Sequence, residues 1–145
     1  VIAYLDTSAI IPLIIDEPGS ARARRVWLAA DEVVVSLLAY VEAAAALARA
    51  ERMGRLDADR HRDSMVTLER LWGSVVVVEP REDSVLHAAA LSRRFGLRGY
   101  DAVHCATAVE AASEDFVAVS GDRDLIAAWR ELGLATVDTN GSATR

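Results

Sequence analysis

Five short apolar runs, rich in β-branched residues, punctuate the chain at Ile2–Leu5, Val33–Val35, Val75–Val78, Phe116–Val119 and Ala135–Val137. Each is bounded by polar or turn residues, and all but the weaker Ala135–Val137, which Thr136 interrupts, are apolar at consecutive positions rather than at every second one. That pattern suits a strand buried on both faces. Helical patterns fill the gaps. The clearest starts after Ser36, a good N-cap, runs to about Arg52 and stops at Gly54. Others cover Asp57–Trp72, Glu82–Phe95 before Gly96, Asp101–Ala112, and Asp122–Leu132 before Gly133. Strands alternating with helices predict an α/β protein with a central, mostly parallel sheet covered on both faces. With 145 residues and no linker or repeat, the expectation is a single domain over 1–145. In such sheets ligands bind beyond the carboxyl ends of the strands, so functional residues are to be sought there.

Charge narrows the function classes. The net charge is −6, and all 16 basic residues are arginine. Binding nucleic acid through bulk positive charge is therefore excluded. The missing lysine also excludes P-loop phosphate binding and Schiff-base chemistry. A lone Cys105 has no internal disulfide partner, which suits a reducing compartment. The first residues lack the basic region of a signal peptide, and no apolar run approaches ~18 residues. The expectation is a soluble, cytoplasmic protein with no membrane contact.

Four acids stand where a sheet-end site would lie. Asp6 directly follows the first strand; a helix N-cap explains it as well as a functional role does. Glu42 has Leu38, Ala39, Ala45 and Ala46 at helical i±3 and i±4 positions, so no arginine compensates it along the helix. Its surroundings, Leu37 to Ala48, are apolar nearly all round, as in a buried helix where an acid is costly unless paired or metal-bound. Asp101 opens the helix after Gly99-Tyr100, and Asp122 closes the strand Phe-Val-Ala-Val; capping competes with function at both. Asp124 lies two residues further on.

Taken together they carry more. Strand ends and helix starts bring Asp6, Glu42, Asp101 and Asp122 toward one cleft. Two unit charges about 4 Å apart repel by roughly 4 kcal/mol at an effective dielectric near 20. A bare cluster would destabilise the fold or take up protons. Mg²⁺ or Mn²⁺, which favour carboxylate and water ligands and bind phosphate oxygens, remove that conflict. The chemistry predicted is metal-assisted phosphodiester hydrolysis without a covalent intermediate.

The series Leu-Asp-Thr-Ser-Ala, Tyr-Val-Glu-Ala, Tyr-Asp-Ala-Val-His-Cys-Ala and Val-Ser-Gly-Asp-Arg-Asp-Leu resembles a PIN-domain ribonuclease, most of all the VapC-type toxins of VapBC toxin–antitoxin pairs. The resemblance runs from Asp6 to Asp124. It implies a three-layer α/β/α fold and an endoribonuclease needing Mg²⁺ or Mn²⁺ that leaves a 3′-hydroxyl and a 5′-phosphate. It makes Asp6, Glu42, Asp101 and Asp122 the metal-site acids and Asp124 a fifth candidate, with Ser8 and Ser120 as supporting hydroxyls. Asp6, Asp101 and Asp122 are expected as direct ligands, and Glu42 as holder of a water or a second ion. It further implies RNA as substrate, a cognate antitoxin and a homodimer.

The remaining features read more plainly. His61, His87 and His104 are scattered, and His104, three residues after Asp101, reads as structural. Cys105 reads as core, and Trp27, Trp72 and Trp129 as core or dimer packing. Most arginines read as solvated helix faces; Arg49 and Arg52 are candidates for guiding RNA, and Arg123 for orienting an acid or a phosphate. A haloacid-dehalogenase-like phosphatase or phosphotransfer domain is the rival enzyme. Its phosphatase pattern wants an acid where Ser8 stands, and receiver domains want a lysine. A catalytically silent PIN-like binding module is the other rival, against which stands the presence of all four acids. Setting those four of the 22 acids aside leaves 16 basic residues against 18 acidic ones, a net charge of −2. The acidity is thus largely local.

Overall fold

A computed structural model describes residues 1–141. Strands β1 (Ile2–Leu5), β2 (Glu32–Ser36), β3 (Val76–Val78), β4 (Phe116–Ser120) and β5 (Thr136–Asp138) form one sheet in the order β3-β2-β1-β4-β5. Every pairing among them is parallel. Helices α1 (Thr7–Ile14), α2 (Ser20–Ala29), α3 (Leu38–Arg52) and α4 (Ala58–Trp72) precede β3. Helices α5 (Glu82–Phe95) and α6 (Gly99–Ala111) lie between β3 and β4, and α7 (Arg123–Glu131) between β4 and β5.

The apolar runs are unbroken because both sheet faces are covered. Tyr4, Val34 and Ala118 join one core with Leu91 of α5, Cys105 of α6 and Trp129 of α7. Their neighbours Ala3, Leu5, Val33, Val35 and Val119 turn to the opposite face and pack on Ile10 of α1, Leu47 of α3 and Leu68 of α4. Period-two alternation thus sorts each strand between two cores. Fully buried side chains such as Leu47 and Leu68 contribute about 1.5–3 kcal/mol each. Cys105 sits in the first core, where burial pushes its thiol up to about 11. Trp129 is fully buried and meets Tyr4 edge to face at 5.9 Å.

Helix boundaries follow local chemistry. Asp57 caps α4 by accepting from the Arg60 amide at 2.8 Å, and Gly96 ends α5 at φ 66°, a left-handed conformation that favours glycine. Three expectations need correction. Ser36 does not occupy the cap position of α3: pairing with Val78 keeps it in β2 and Leu37 stands at the cap, yet Ser36 Oγ still accepts the amide of Leu38, the first residue of α3, at 3.3 Å. Helix α3 is not buried all round. Ala39, Ala43, Leu47 and Ala50 form its inner face, while Val41 is 54% exposed, because alanine serves as a helix former on the outer side too. Helix α6 begins at Gly99 with Arg98 as its cap residue, so Asp101 lies inside the first turn rather than opening it. Helix α2 was not marked by any clear apolar period.

Candidate active site

Strand order reverses direction at β1, between β2 and β4, so the carboxyl ends of β1 and β4 frame the crevice where α/β sheets bind ligands. Asp6 leaves β1 there, and Asp122 follows β4 by two residues. With Glu42 from α3 and Asp101 from α6 they line one cleft of about 530 Å³. All four expected acids therefore share a cleft, delivered by four different elements.

Asp6 is 3% exposed. It caps α1 through the Ala9 amide at 3.3 Å and accepts from Ser8 Oγ at 2.8 and 3.0 Å on its two oxygens. Ser8 Oγ also accepts the Gly121 amide at 2.7 Å and lies 3.1 Å from Ser120 Oγ. The single hydroxyl hydrogen of Ser8 is committed to Asp6, so Ser120 donates across that gap. Ser120 in turn accepts the Asp122 amide at 2.9 Å. One string of hydroxyls therefore ties the acid of β1 to the loop carrying the acid of β4. Even so, burial pushes the Asp6 carboxyl up to about 6, against the opposing pull of the His104 charge and these hydroxyls.

Glu42 is half-buried and is compensated from outside its own helix. His104 Nε2 lies 2.6 Å from its Oε1, and Thr7 Oγ1 donates to the same oxygen at 2.9 Å. Burial alone would raise this carboxyl; the His104 hydrogen bond and charge, with Thr7, outweigh it and hold it below the ordinary value. His104 is 1% exposed, with Nδ1 2.7 Å from the Tyr4 hydroxyl, and stands behind the cleft rather than among its lining residues. Asp101 does not cap α6, which leaves its carboxylate to the cleft. Burial raises it and the nearby Asp122 charge raises it further, partly offset by Arg98, whose Nε is 3.4 Å away. Asp122 does cap α7, accepting the amides of Asp124 and Leu125 at 2.8 and 3.1 Å. Capping and cleft-lining coincide in both Asp6 and Asp122.

Other candidates fall differently. Asp124 is exposed in the first turn of α7 and is not among the cleft-lining residues. Arg49 lines the cleft, whereas Arg52 and Arg123 do not. Arg98 and Asn140 do line it and were missed by sequence reasoning, since both come from segments outside any periodic pattern. Asn140 donates from Nδ2 to the Gly121 carbonyl at 3.0 Å. A Cβ on Gly121 would stand 2.7 Å from that nitrogen and 3.0 Å from Thr139 Oγ1, so a larger residue there would have to displace the Asn140 side chain and its bond. A second groove of about 830 Å³, with Tyr100 and Val85 on its walls, runs between α3, α5 and α6 and meets the cleft at Glu42, Arg98 and Asp101.

The donor set of the cleft is oxygen only, and its acids outnumber Arg49 and Arg98 at its margin. Among the described residues, no three His, Cys, Asp or Glu side chains converge tightly enough to enclose an ion as they stand. Such a set fits a hard divalent cation that keeps several of its waters, and it does not fit zinc.

Fold and cleft together define an α/β protein with an acidic crevice at the switch point of a parallel sheet. The PIN-domain profile matches residues 3–130, and the chain belongs to the PIN-domain family. It is 36% identical over 124 residues to Ribonuclease VapC45 of Mycobacterium tuberculosis, spanning 86% of each chain. Among solved structures it superposes on PAE2754 of Pyrobaculum aerophilum with a TM-score of 0.67 at 26% identity, covering 94% of this chain and 90% of that one. It matches a toxin–antitoxin complex from Klebsiella pneumoniae with a TM-score of 0.63 at 17% identity, covering 94% and 97%, a likeness of fold alone. PIN-domain ribonucleases use divalent metal ions, and no helix among the described residues is long and apolar enough to cross a membrane.

Proposed function

We propose that this chain is a VapC-type endoribonuclease, the toxin of a toxin–antitoxin pair, which hydrolyses RNA phosphodiester bonds with Mg²⁺ or Mn²⁺ in the cleft of Asp6, Glu42, Asp101 and Asp122. The observation that carries this reading is the delivery of four carboxylates by four elements to the one crevice the sheet topology reserves for ligands. Kinship with Ribonuclease VapC45 supports the choice of RNA, and the Klebsiella complex supports an antitoxin partner. A second copy of the chain, residence in the cytoplasm and a single domain over the whole length belong to the same reading.

Asp6, Asp101 and Asp122 would hold the ion. The chemistry it supplies is Lewis-acid stabilisation of charge on the phosphate oxygens. Everything else falls to the chain. Ser8 and Ser120 fix Asp6 against the Asp122 loop, so the two sheet-end acids keep one spacing. Glu42 stays ionised and holds a water beside the scissile phosphate. Arg49 and Arg98 contact flanking phosphates, which positions the strand without reading its sequence.

The test uses the purified chain and RNA, with Mg²⁺ or with excess EDTA. Cleavage is expected only with the metal, leaving 5′-phosphate ends, and is expected to vanish in Asp101→Ala. Cleavage that persists in EDTA, or survives that substitution, overturns the assignment.

A further inference from the structure

The two carboxylate oxygens of Glu42 are treated differently. Oε1 receives both Thr7 Oγ1, at 2.9 Å, and His104 Nε2, at 2.6 Å. Among the described residues no hydrogen bond reaches Oε2. An ionised carboxylate only accepts, so His104 Nε2 must carry a hydrogen. The imidazole cannot swing away, because Nδ1 is 2.7 Å from the hydroxyl of Tyr4 and the ring is 1% exposed. Tyr4 is itself locked edge to face against Trp129 at 5.9 Å. Thr7 is equally fixed, as the first residue of α1 beside the capping Asp6.

We infer that Thr7 and His104 are positioning residues that anchor Oε1 of Glu42 and so leave Oε2 as the oxygen presented to the cleft's cation and its water. This rests on the reading of the cleft as a divalent-metal site. The physical reason is preorganisation. An unanchored glutamate samples several rotamers and exchanges its two oxygens, whereas one held at Oε1 already points its free oxygen when the ion arrives. The arrangement also accounts for the burial of a histidine in a largely apolar strand-helix core: it reaches Glu42 from a different element, α6, and links α3 to β1.

Mn²⁺ affinity, read from the electron paramagnetic resonance of the free ion, tests this on the intact chain. Thr7 is partly exposed and valine is nearly isosteric with it, so Thr7→Val removes the hydroxyl and leaves the core in place. Loss of one such outer partner is expected to weaken Mn²⁺ binding by about tenfold, and Thr7→Ser to restore it. The RNA KM is expected to stay constant while kcat falls. A long-range ¹H–¹⁵N spectrum of the wild-type protein is expected to show hydrogen on Nε2 of His104. Wild-type Mn²⁺ binding that Thr7→Val leaves unchanged, or a ring protonated on Nδ1 alone, overturns this inference and leaves the metal-site reading intact. Absence of Mn²⁺ binding by the wild type overturns the metal-site reading, and this inference with it.

Discussion

Asp6→Asn is expected to stabilise the metal-free protein at neutral pH. Burial moves the Asp6 carboxyl from 3.8 to about 6. At ~1.4 kcal/mol per pH unit, keeping it ionised in the folded state costs about 3 kcal/mol. The sign follows from proton uptake. The folded state binds the proton more tightly than the unfolded one, so stability is lowest above about pH 6 and is recovered as pH falls from there toward 3.8. Below 3.8 both states are protonated and the penalty is gone. Asparagine keeps the shape and an oxygen for the Ala9 amide, but it loses one acceptor facing Ser8. The expected net gain at pH 7.5 is therefore about 1–3 kcal/mol, or roughly 3–10 °C in Tm for a domain of this size. Urea melts in EDTA at pH 7.5 and pH 4 measure it. The two proteins should differ at the higher pH and agree within about 0.5 kcal/mol at the lower one. A variant less stable than wild type at pH 7.5, or one with the same advantage at pH 4, refutes the argument. Saturating Mg²⁺ should close the gap by stabilising the wild type alone, by about 2.7 kcal/mol at a hundred times Kd.

Further outcomes follow from the same geometry. Gly121→Ala forces a Cβ to within 2.7 Å of Asn140 Nδ2, and is expected to cost about 1–3 kcal/mol in a urea melt and to lower kcat by displacing the Asp122 loop. Leu47→Ala empties a fully buried site on the α3 side of the sheet and should cost about 2–5 kcal/mol by the same assay. Arg49→Ala should raise the KM for RNA and reduce the slope of log affinity against log salt by about 1, whereas Arg52→Ala, off the cleft, should change neither.

The strands were legible because a two-faced core leaves an unbroken apolar run, as in Val33–Val35, and the acids were legible because Asp6 and Asp122 stand at the ends of such runs. Treating cap and function as rivals misjudged both residues, since one oxygen can hold an amide while the carboxylate lines a cleft. Glu42 was singled out on a premise that failed. Its helix is buried on one face only, and its compensation arrives from Thr7 and His104, which a helical wheel cannot show. His104 had one usable signal, a position three residues after Asp101. Arg98 and Asn140 had none, because loops reach the cleft through tertiary packing rather than period. Helix α2 was legible only through Trp27 and the arginine cluster, without bounds, because its first residues follow Glu17-Pro18-Gly19 and its outer side is rich in arginine.

The pairing of β1 with β4 joins Ile2 to Phe116, partners more than a hundred residues apart in the chain. Asp6 and Asp122 therefore become neighbours only after β4 has been made and this long loop has closed, a non-local pairing that is entropically costly and slow. A nascent chain, or any fragment ending before β4, carries one half of the crevice and no route to the other. On the proposed function, a cleft competent for cleavage therefore exists only once β4 and the Asp122 loop have been made.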